Sequence, residues 1–536
     1  MTATKRKYPI GIQSFEKIRR GGYVYVDKTE LIYKLISEGC PYFFSRPRRF
    51  GKSLLVSTLQ AVFEGKRELF EEMTLKDGTR QPRLFIATTD WDWEPRPVLH
   101  FDFSGGDIEA IEQLDELIDN MLKGYERLYR ISETSRGTNE RMKTIIRTAH
   151  AQTGQRVVVL VDEYDNFILH HLDSPQQSKI ARQRFQNLFG PLKEIDDHLE
   201  LVFITGISKF SQMGIFSKLN QLKNISLRPD FEALCGITEE ELVSTLRPDI
   251  EHLASLNGID FEQQVGELKN MYDGYHFSHG LTDIYNPFSL MNALDANMLS
   301  NYWFASGTSR AVIDMLAQMP PISITQINDV HCEANVFNNA FDSYATPLPL
   351  LYQSGYLTIK EYDRDLDDYT LGFPNMEVRQ GFCDCLYQHI THRQFTNDED
   401  KSQLLRAFKM FRRDNDLASF IEAIKTFFAG LPYQWEHDNR NEHFYHALLY
   451  TLLCSFGADV SAEESTAKGN SDLVLRMPKS IYVIELKYDQ SAQEALDQIE
   501  ERGYAEKYGS DGRPVVKVGV AFSSEARNIT EWKAVY

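Results

Sequence analysis

Two hydrophobic rhythms alternate along the first 230 residues of this 536-residue chain. The continuous apolar runs at Val157–Val161 and Leu201–Ile207 lack the alternation of a half-exposed strand, which predicts parallel strands covered on both faces. Pro41–Ser45 and Val98–Phe103 read as two further strands. Segments of helical period lie between them. Asp27–Gly39 carries Leu31, Ile32, Leu35 and Ile36 on one face, with Asp27 as its cap and Gly39 as its stop. Lys52–Phe63 places Leu54, Leu55, Thr58, Leu59, Val62 and Phe63 on one side, and Glu109–Tyr129 and Phe185–Ile195 also read as helices. Strands alternating with helices predict a doubly wound parallel sheet over residues 1–230.

From Phe231 the texture changes. Thr238–Glu241 opens a helix with acids in its first turn, favourable for the helix dipole. Short helical patterns run on to Leu316, then come a fragment at Leu348–Ser354 and a hairpin, Tyr356–Tyr362 with Asp368–Phe373. This predicts a helical lid and winged-helix-like region over 231–375. Such a module either binds DNA or covers the first domain, and Glu361, Asp363, Asp365, Asp367 and Asp368 favour the second. Residues 376–430 read as a helical connector whose basic patch, Arg406, Lys409, Arg412 and Arg413, is either a solvated helix face or a phosphate contact. The last segment, 431–536, returns to α/β texture: a helix over Asn441–Phe456, strands at Ser471–Leu475, Ile481–Lys487 and Val515–Phe522, and a helix capped by Ser491 with Glu494 closing the box.

Bulk properties narrow the classes. A formal charge of −19 opposes broad attraction to nucleic acid, so any such contact must come from local patches. No run of 18 apolar residues exists to span a membrane, and MTATKRKYPIG is not backed by a signal-peptide core. The six cysteines lie scattered without a C-x-x-C pair, which fits reduced thiols in a cytoplasm and argues against zinc.

Candidate chemistry concentrates at two places. Between the strand at Pro41–Ser45 and the helix at Lys52 sits Arg46-Pro-Arg-Arg-Phe-Gly51-Lys52-Ser53. Helix N-terminal amides and the Lys52 ammonium suit the β- and γ-phosphates of a nucleotide, and the Ser53 hydroxyl suits Mg2+. The first glycine of G-x-x-x-x-G-K-[ST] is Arg46 here, so the loop alone also fits a plain strand-turn-helix. Val157–Asp165 then ends a buried strand in acids, at the strand end where open α/β sheets bind ligands. Asp162 is expected to hold Mg2+ and Glu163 to act as general base on the attacking water. The expected nucleotide set is Arg46, Arg48, Arg49, Phe50, Gly51, Lys52, Ser53, Leu54, Asp162 and Thr205, with Ser208 as the alternative to Thr205. In the tail, Asp472 and Glu485 can chelate a hard divalent cation, Lys487 can orient a water, and Glu442 can add a carboxylate. An ion pair between Glu485 and Lys487 with no catalytic role fits the same residues.

Several ordered motifs carry a resemblance. YPIGIQSFEKIRRGGYVYVDKTELI, SRPRRFGKSLL, VVVLVDEYDNFI, FITGISKFS, YDGYHF, YNPFSL, YWFASGT and LLYQSGYLTI together resemble the AAA-ATPase-like family of bacteria. The tail, from GNSDLVLRMPKSIYVIELKYDQ onward, is similar to the PD-(D/E)XK nuclease superfamily. The resemblance implies a P-loop NTPase sheet with Walker A and B positions, ATP hydrolysis, and a C-terminal restriction-endonuclease-like domain using Mg2+ or Mn2+. It matches Asp472, Glu485 and Lys487 to the nuclease core positions, and Glu442 and Gln498 to accessory ones. Arg46, Arg48 and Arg49 are then expected to add phosphate or subunit contacts. The implied function is ATP-gated phosphodiester hydrolysis, by analogy in defence against foreign DNA. The alternative is an ATP-dependent signalling or assembly switch with a silent nuclease-like docking domain. A homo-oligomer would supply an arginine finger in trans, for which Lys209, Arg228 and Arg310 are the candidates.

Overall fold

The computed structural model describes residues 6–39, 41–105, 108–132, 137–171, 174–208, 221–305, 327–337, 347–391, 399–431, 442–466 and 468–536. The chain divides into two compact units, Met1–Val312 with His331–Asn375, and Ile313–Val330 with Met376–Tyr536.

In the first unit the apolar runs become a five-stranded sheet: β1 (Tyr42–Ser45), β2 (Val98–Asp102), β3 (Val157–Asp162), β4 (Leu199–Gly206) and β5 (Lys223–Asn224). The order is β2-β3-β4-β1-β5 and every neighbouring pair is parallel. All six residues of β3 are buried, as its unbroken apolar run requires. Helix α1 (Thr29–Glu38) leads into β1; parallel strands need crossovers, and the helices that fill them are α2 (Lys52–Phe63), α3 (Ile111–Leu128), α4 (Thr138–Thr153) and α5 (Pro175–Phe189). Leu114, Ile118, Met142, Ile145, Phe185 and Leu188 of the last three pack against Val157, Val159 and Val161. The register sets Asp102 beside Asp162 and Ser45 beside Gly206, so the carboxyl ends of β1, β3 and β4 face the same edge. β4 separates the loop-bearing strand from the acid-bearing one.

Two helix boundaries differ from the sequence pattern. The residue at the start of α1 is Lys28, without a side-chain cap, and Asp27 instead accepts from the Thr29 amide (2.8 Å) and from the Phe85 amide (2.8 Å). The carboxylate thus ties the helix start to a distant loop. α5 begins ten residues before the expected start (185 − 175) because Pro175 sits in its first turn, and it ends where Gly190-Pro191 interrupts the ladder.

A helical segment follows in this unit, with α6 (Glu239–Asn257), α7 (Phe261–Tyr272) and α8 (Pro287–Ala296) around Leu242, Leu246, Leu268 and Leu290. Thr238 and Glu241 form a reciprocal capping box at the start of α6. The expected hairpin is present as β7 (Thr358–Asp363) and β8 (Asp368–Gly372), joined by a third strand, β6 (Val330–Glu333), in the order β6-β8-β7.

The second unit opens with α9 (Met376–Thr391), α10 (Glu399–Asp414), α11 (Leu417–Ala429) and α12 (Glu442–Ser455). A sheet follows in sequential order: β9 (Asp459–Thr466), β10 (Gly469–Arg476), β11 (Ile481–Tyr488), β12 (Val515–Ser523) and β13 (Asn528–Val535). β11 and β12 are parallel, joined through α13 (Ala492–Arg502), and the other pairs are antiparallel. The two sheet faces bury different partners. Leu473, Leu475, Tyr482 and Ile484 share a core with Phe408, Phe411, Phe420 and Leu449, so the helices before the tail pack with its sheet. Val474 and Val483 pack against Leu496 and Ile499 of α13. At Gly519 an added Cβ would lie 2.2 Å from the Ala492 carbonyl oxygen, so α13 rests directly on β12 only because that residue is glycine. Among the described residues no helix is long and apolar enough to cross a membrane.

Candidate nucleotide and metal sites

At the β1–α2 junction the backbone turns through two left-handed residues, Arg49 (φ 71°) and Gly51 (φ 95°). A Cβ on Gly51 would meet nothing within 4 Å, so glycine is needed there for its conformation and not for space. α2 then opens with Lys52 and Ser53. The Lys52 side chain is buried, and its ammonium donates to the carbonyls of Arg46 and Pro47 at 3.0 Å each. Burial pulls its pKa down, while Glu163, Asp162 and Asp165 favour the charged form.

Asp162 closes the site from β3. It is 2% exposed, hydrogen-bonds to Ser53, and keeps its Oδ1 without a partner. Burial raises its carboxyl to about 6, and Ser53 and Lys52 oppose that rise. Glu163 follows in a left-handed conformation (φ 50°). Between the two strands, at the end of β4, Thr205 is fully buried with an unpartnered hydroxyl. A buried cation, an orphaned carboxylate oxygen and an orphaned hydroxyl at one sheet edge fit a polar ligand that supplies both acceptors and a metal ion.

The arginines of the loop behave differently from one another. Arg46 is 2% exposed, and its guanidinium lies between the rings of Phe44 (4.4 Å) and Phe277 (4.1 Å). It donates to the carbonyls of Ser45 (2.9 Å), Ser226 (2.8 Å), Phe231 (3.3 Å) and Glu232 (3.2 Å). Those bonds tie its side chain to the loop's own framework. Arg48 accepts from the Trp303 indole through its carbonyl (3.3 Å), and Arg49 lies 4.9 Å from the Phe288 ring centre. Phe50 is buried edge-on to Tyr275 (4.8 Å) and Phe277 (5.3 Å). Leu54 lies in the first turn of α2, with its carbonyl accepting from Thr58 (2.8 Å). Arg228 pairs with Asp230 at 2.6 Å, and Lys209 and Arg310 lie outside the described residues.

Sequence reasoning passed over Asp165. Its carboxylate accepts from the amides of Ile207 (2.9 Å) and Ser208 (2.6 Å) and from the Ser208 hydroxyl (2.8 Å). Ser208 is thereby engaged with Asp165, which leaves Thr205 as the unpartnered hydroxyl on β4.

In the second unit, antiparallel register sets Asp472 of β10 beside Glu485 of β11. The Asp472 amide donates to Glu485 Oε2 (3.4 Å) and the Leu486 amide to Asp472 Oδ2 (2.7 Å). Lys487 Nζ lies 3.4 Å from Glu485 Oε1, and Gln498 of α13 donates to the same oxygen. Glu485 is 1% exposed; burial, then the neighbouring Asp472, raise its carboxyl to about 8. Burial also raises Asp472, with Glu442 adding to the rise and His446 and Lys487 opposing it. Two adjacent carboxylates, both pushed toward neutrality by desolvation, are the donor set that a hard divalent cation relieves. Among the described residues no three His, Cys, Asp or Glu side chains form a ready cage, so further positions fall to water or backbone oxygen. Glu442 meets Asp472 through its field, and one turn along α12 the buried His446 holds the Asp472 carbonyl through Nε2 at 2.7 Å. The signal for His446 was its four-residue spacing from Glu442, which sets both on one helix face.

Comparison with known proteins assigns two parts of the chain to families. The family described as "Predicted AAA-ATPase" matches residues 9–216, and the PD-(D/E)XK nuclease superfamily matches residues 440–532. An "Uncharacterized protein in vnfD 5'region" of Azotobacter chroococcum mcd 1 is 34% identical over 536 residues, covering 98% of this chain and 98% of the relative. The chain belongs to the AAA-ATPase-like family and carries a C-terminal PD-(D/E)XK nuclease superfamily domain.

Proposed function

We propose that the first unit binds and hydrolyses ATP and that its nucleotide state gates phosphodiester hydrolysis in the second. The observation that carries the first half is the convergence of Lys52, Ser53 and Asp162. Lys52 would exchange the Arg46 and Pro47 carbonyls for the β- and γ-phosphates, beside the amides that open α2. Ser53 and Asp162 would hold Mg2+, Glu163 would take the proton of the attacking water, and Thr205 would orient that water or the γ-phosphate. Arg48 and Arg49 are left for phosphate or subunit contact, and Arg46 shapes the loop. An arginine supplied by a second copy of the chain would complete the charge stabilisation.

In the second unit, Asp472 and Glu485 would hold Mg2+ or Mn2+, with Glu442 contributing charge nearby. A divalent cation there supplies a lowered water pKa and stabilises the charge that develops on the phosphate. Lys487 would orient the water, and Gln498 would fix the Glu485 rotamer. A cytoplasmic role against foreign DNA accords with this pairing of domains by analogy alone.

The test is cleavage of labelled DNA and RNA, single- and double-stranded, with Mg2+ or Mn2+, with and without ATP, beside Glu485→Ala and Lys52→Ala. Cleavage lost in the first variant and altered in the second is the expected result. ATP hydrolysis without cleavage of any substrate would favour the second reading, a nucleotide-driven switch with a silent docking domain, which the formal charge of −19 supports.

A further inference from the structure

α10 presents two unlike faces. Leu404, Phe408 and Phe411 enter the core of the second unit, while Arg406, Lys409 and Arg412 stand exposed at three-residue spacing along the outer side. None of these three pairs with a described carboxylate. Elsewhere in the same unit several cations are paired with carboxylates: Arg476 and Lys507 with Glu464 (2.6 and 2.8 Å), Arg513 with Asp511 (2.5 Å) and Lys517 with Glu500 (2.5 Å). At the end of the stripe, Lys479 brings another ammonium by donating to the Arg413 carbonyl (2.9 Å).

The helix dipole accounts for part of this only. It favours cations in the last turn and fades beyond it. Arg412 falls in that turn, whereas Arg406 and Lys409 stand farther back. In a chain of net charge −19, these exposed cations at one-turn spacing have no partner among the described residues. Met410, 55% exposed among them, adds an apolar surface of the kind a sugar edge covers.

We infer that the outer face of α10 is a docking surface for the phosphate backbone of a nucleic acid. This rests on the nuclease reading of the second unit and names the surface that would hold its substrate. Cations one helical turn apart, about 5 Å, on long flexible side chains match a polyanion whose charges recur every few ångströms. α10 and the carboxylate pair meet the same strand: Tyr482 of β11 donates to Asn415, just past the end of α10, at 2.8 Å, and Glu485 lies three residues on, its side chain on the opposite, α13-facing side of the sheet. The local stripe also reconciles nucleic-acid contact with an acidic chain, since the net charge opposes association everywhere else.

The experiment is binding of the full-length protein to labelled duplex DNA, single-stranded DNA and duplex RNA across a salt series, with cleavage followed in parallel. The wild type should lose affinity linearly in log salt. The triple variant Arg406→Ala/Lys409→Ala/Arg412→Ala should bind at least tenfold more weakly on every sequence. Its slope on duplex DNA should be shallower by roughly 2 to 3, from three contacts at about 0.9 each. A charge-conserving variant, Arg406→Lys/Arg412→Lys, should keep the slope. Glu485→Gln should lose cleavage and keep both affinity and slope. An unchanged slope in the triple variant, no nucleic-acid binding by the wild type, or stripe-dependent binding to phosphatidylserine vesicles in place of nucleic acid would overturn the inference. Stripe-dependent binding without cleavage in either metal would leave the surface standing and remove the nuclease reading.

Discussion

Ser208 holds Asp165 twice, through its amide at 2.6 Å and its hydroxyl at 2.8 Å. Tyr164 returns a bond to the Ser208 carbonyl at 2.8 Å. The acid-bearing turn after β3 and the end of β4 are therefore one rigid piece, and the backbone of Glu163 is held within it. Gly206 is the condition for this closeness: a Cβ there would stand 2.5 Å from Asp165 Oδ1.

Asp165→Ala should therefore destabilise the first unit. It leaves two buried amides and a buried hydroxyl without an acceptor, each worth about 1 kcal/mol or more, for a total on the order of 3 kcal/mol. Asp165→Asn, which keeps one oxygen, should cost less. Urea unfolding of both variants measures this, and an Asp165→Ala protein as stable as wild type would disprove the anchor role.

How much of this was legible depended on how local each signal was. β3 and β4 were plain in the chain because a strand buried on both faces must be apolar throughout, and the Ser491–Glu494 box was plain because a cap needs only four residues. β9 and β13 were not: DVSAEEST and NITEWKAV are the two outer strands of their sheet, largely polar, and specified by pairing with a neighbour and not by their own pattern. The same holds within the sites. Lys52, Asp162 and Glu485 announce themselves by type and position. The role of Arg46 depends on four carbonyls, three of them about 180 residues away, and no local pattern encodes that.

Arg46 accordingly yields a prediction opposite to that for a phosphate ligand. Arg46→Lys keeps the charge but loses the planar fork and its stacking between Phe44 and Phe277. At least two buried carbonyls would go unpaired, a loss of about 2–3 kcal/mol in stability. Thermal unfolding without nucleotide should show the whole effect. An unchanged melting temperature with weakened ATP binding would return Arg46 to the phosphates.

The carboxylate pair of the second unit makes stability depend on pH. Glu485 has a folded value of about 8, above its ordinary 4.5. The folded state therefore holds a proton that the unfolded chain releases between those values, and stability falls as pH rises through that window. Glu485→Gln removes the titrating group, so in chelator its melting temperature should fall less than that of wild type between pH 5 and pH 9. Mg2+ or Mn2+ should raise the wild-type melting temperature most at the alkaline end and leave the variant nearly unmoved. A wild type whose pH profile matches that of the variant would contradict the raised Glu485 carboxyl.

His446 tests whether α12 takes part in the proposed metal site or only covers it. Its Nε2 donates to the carbonyl of Asp472, so the helix that carries Glu442 fixes the strand that carries the first carboxylate. His446→Ala should cost on the order of 1 kcal/mol in stability. It should also weaken metal binding by about 10- to 100-fold, as loss of a residue that orients a ligand does. The two effects separate in His446→Gln, whose side-chain amide can restore the donor: stability and metal affinity should both recover toward wild type. Calorimetric titration with Mn2+ reads the affinity directly, without relying on cleavage. If His446→Ala loses stability but binds Mn2+ as wild type does, the contact belongs to packing alone and Asp472 is positioned by β11 through the Leu486 amide.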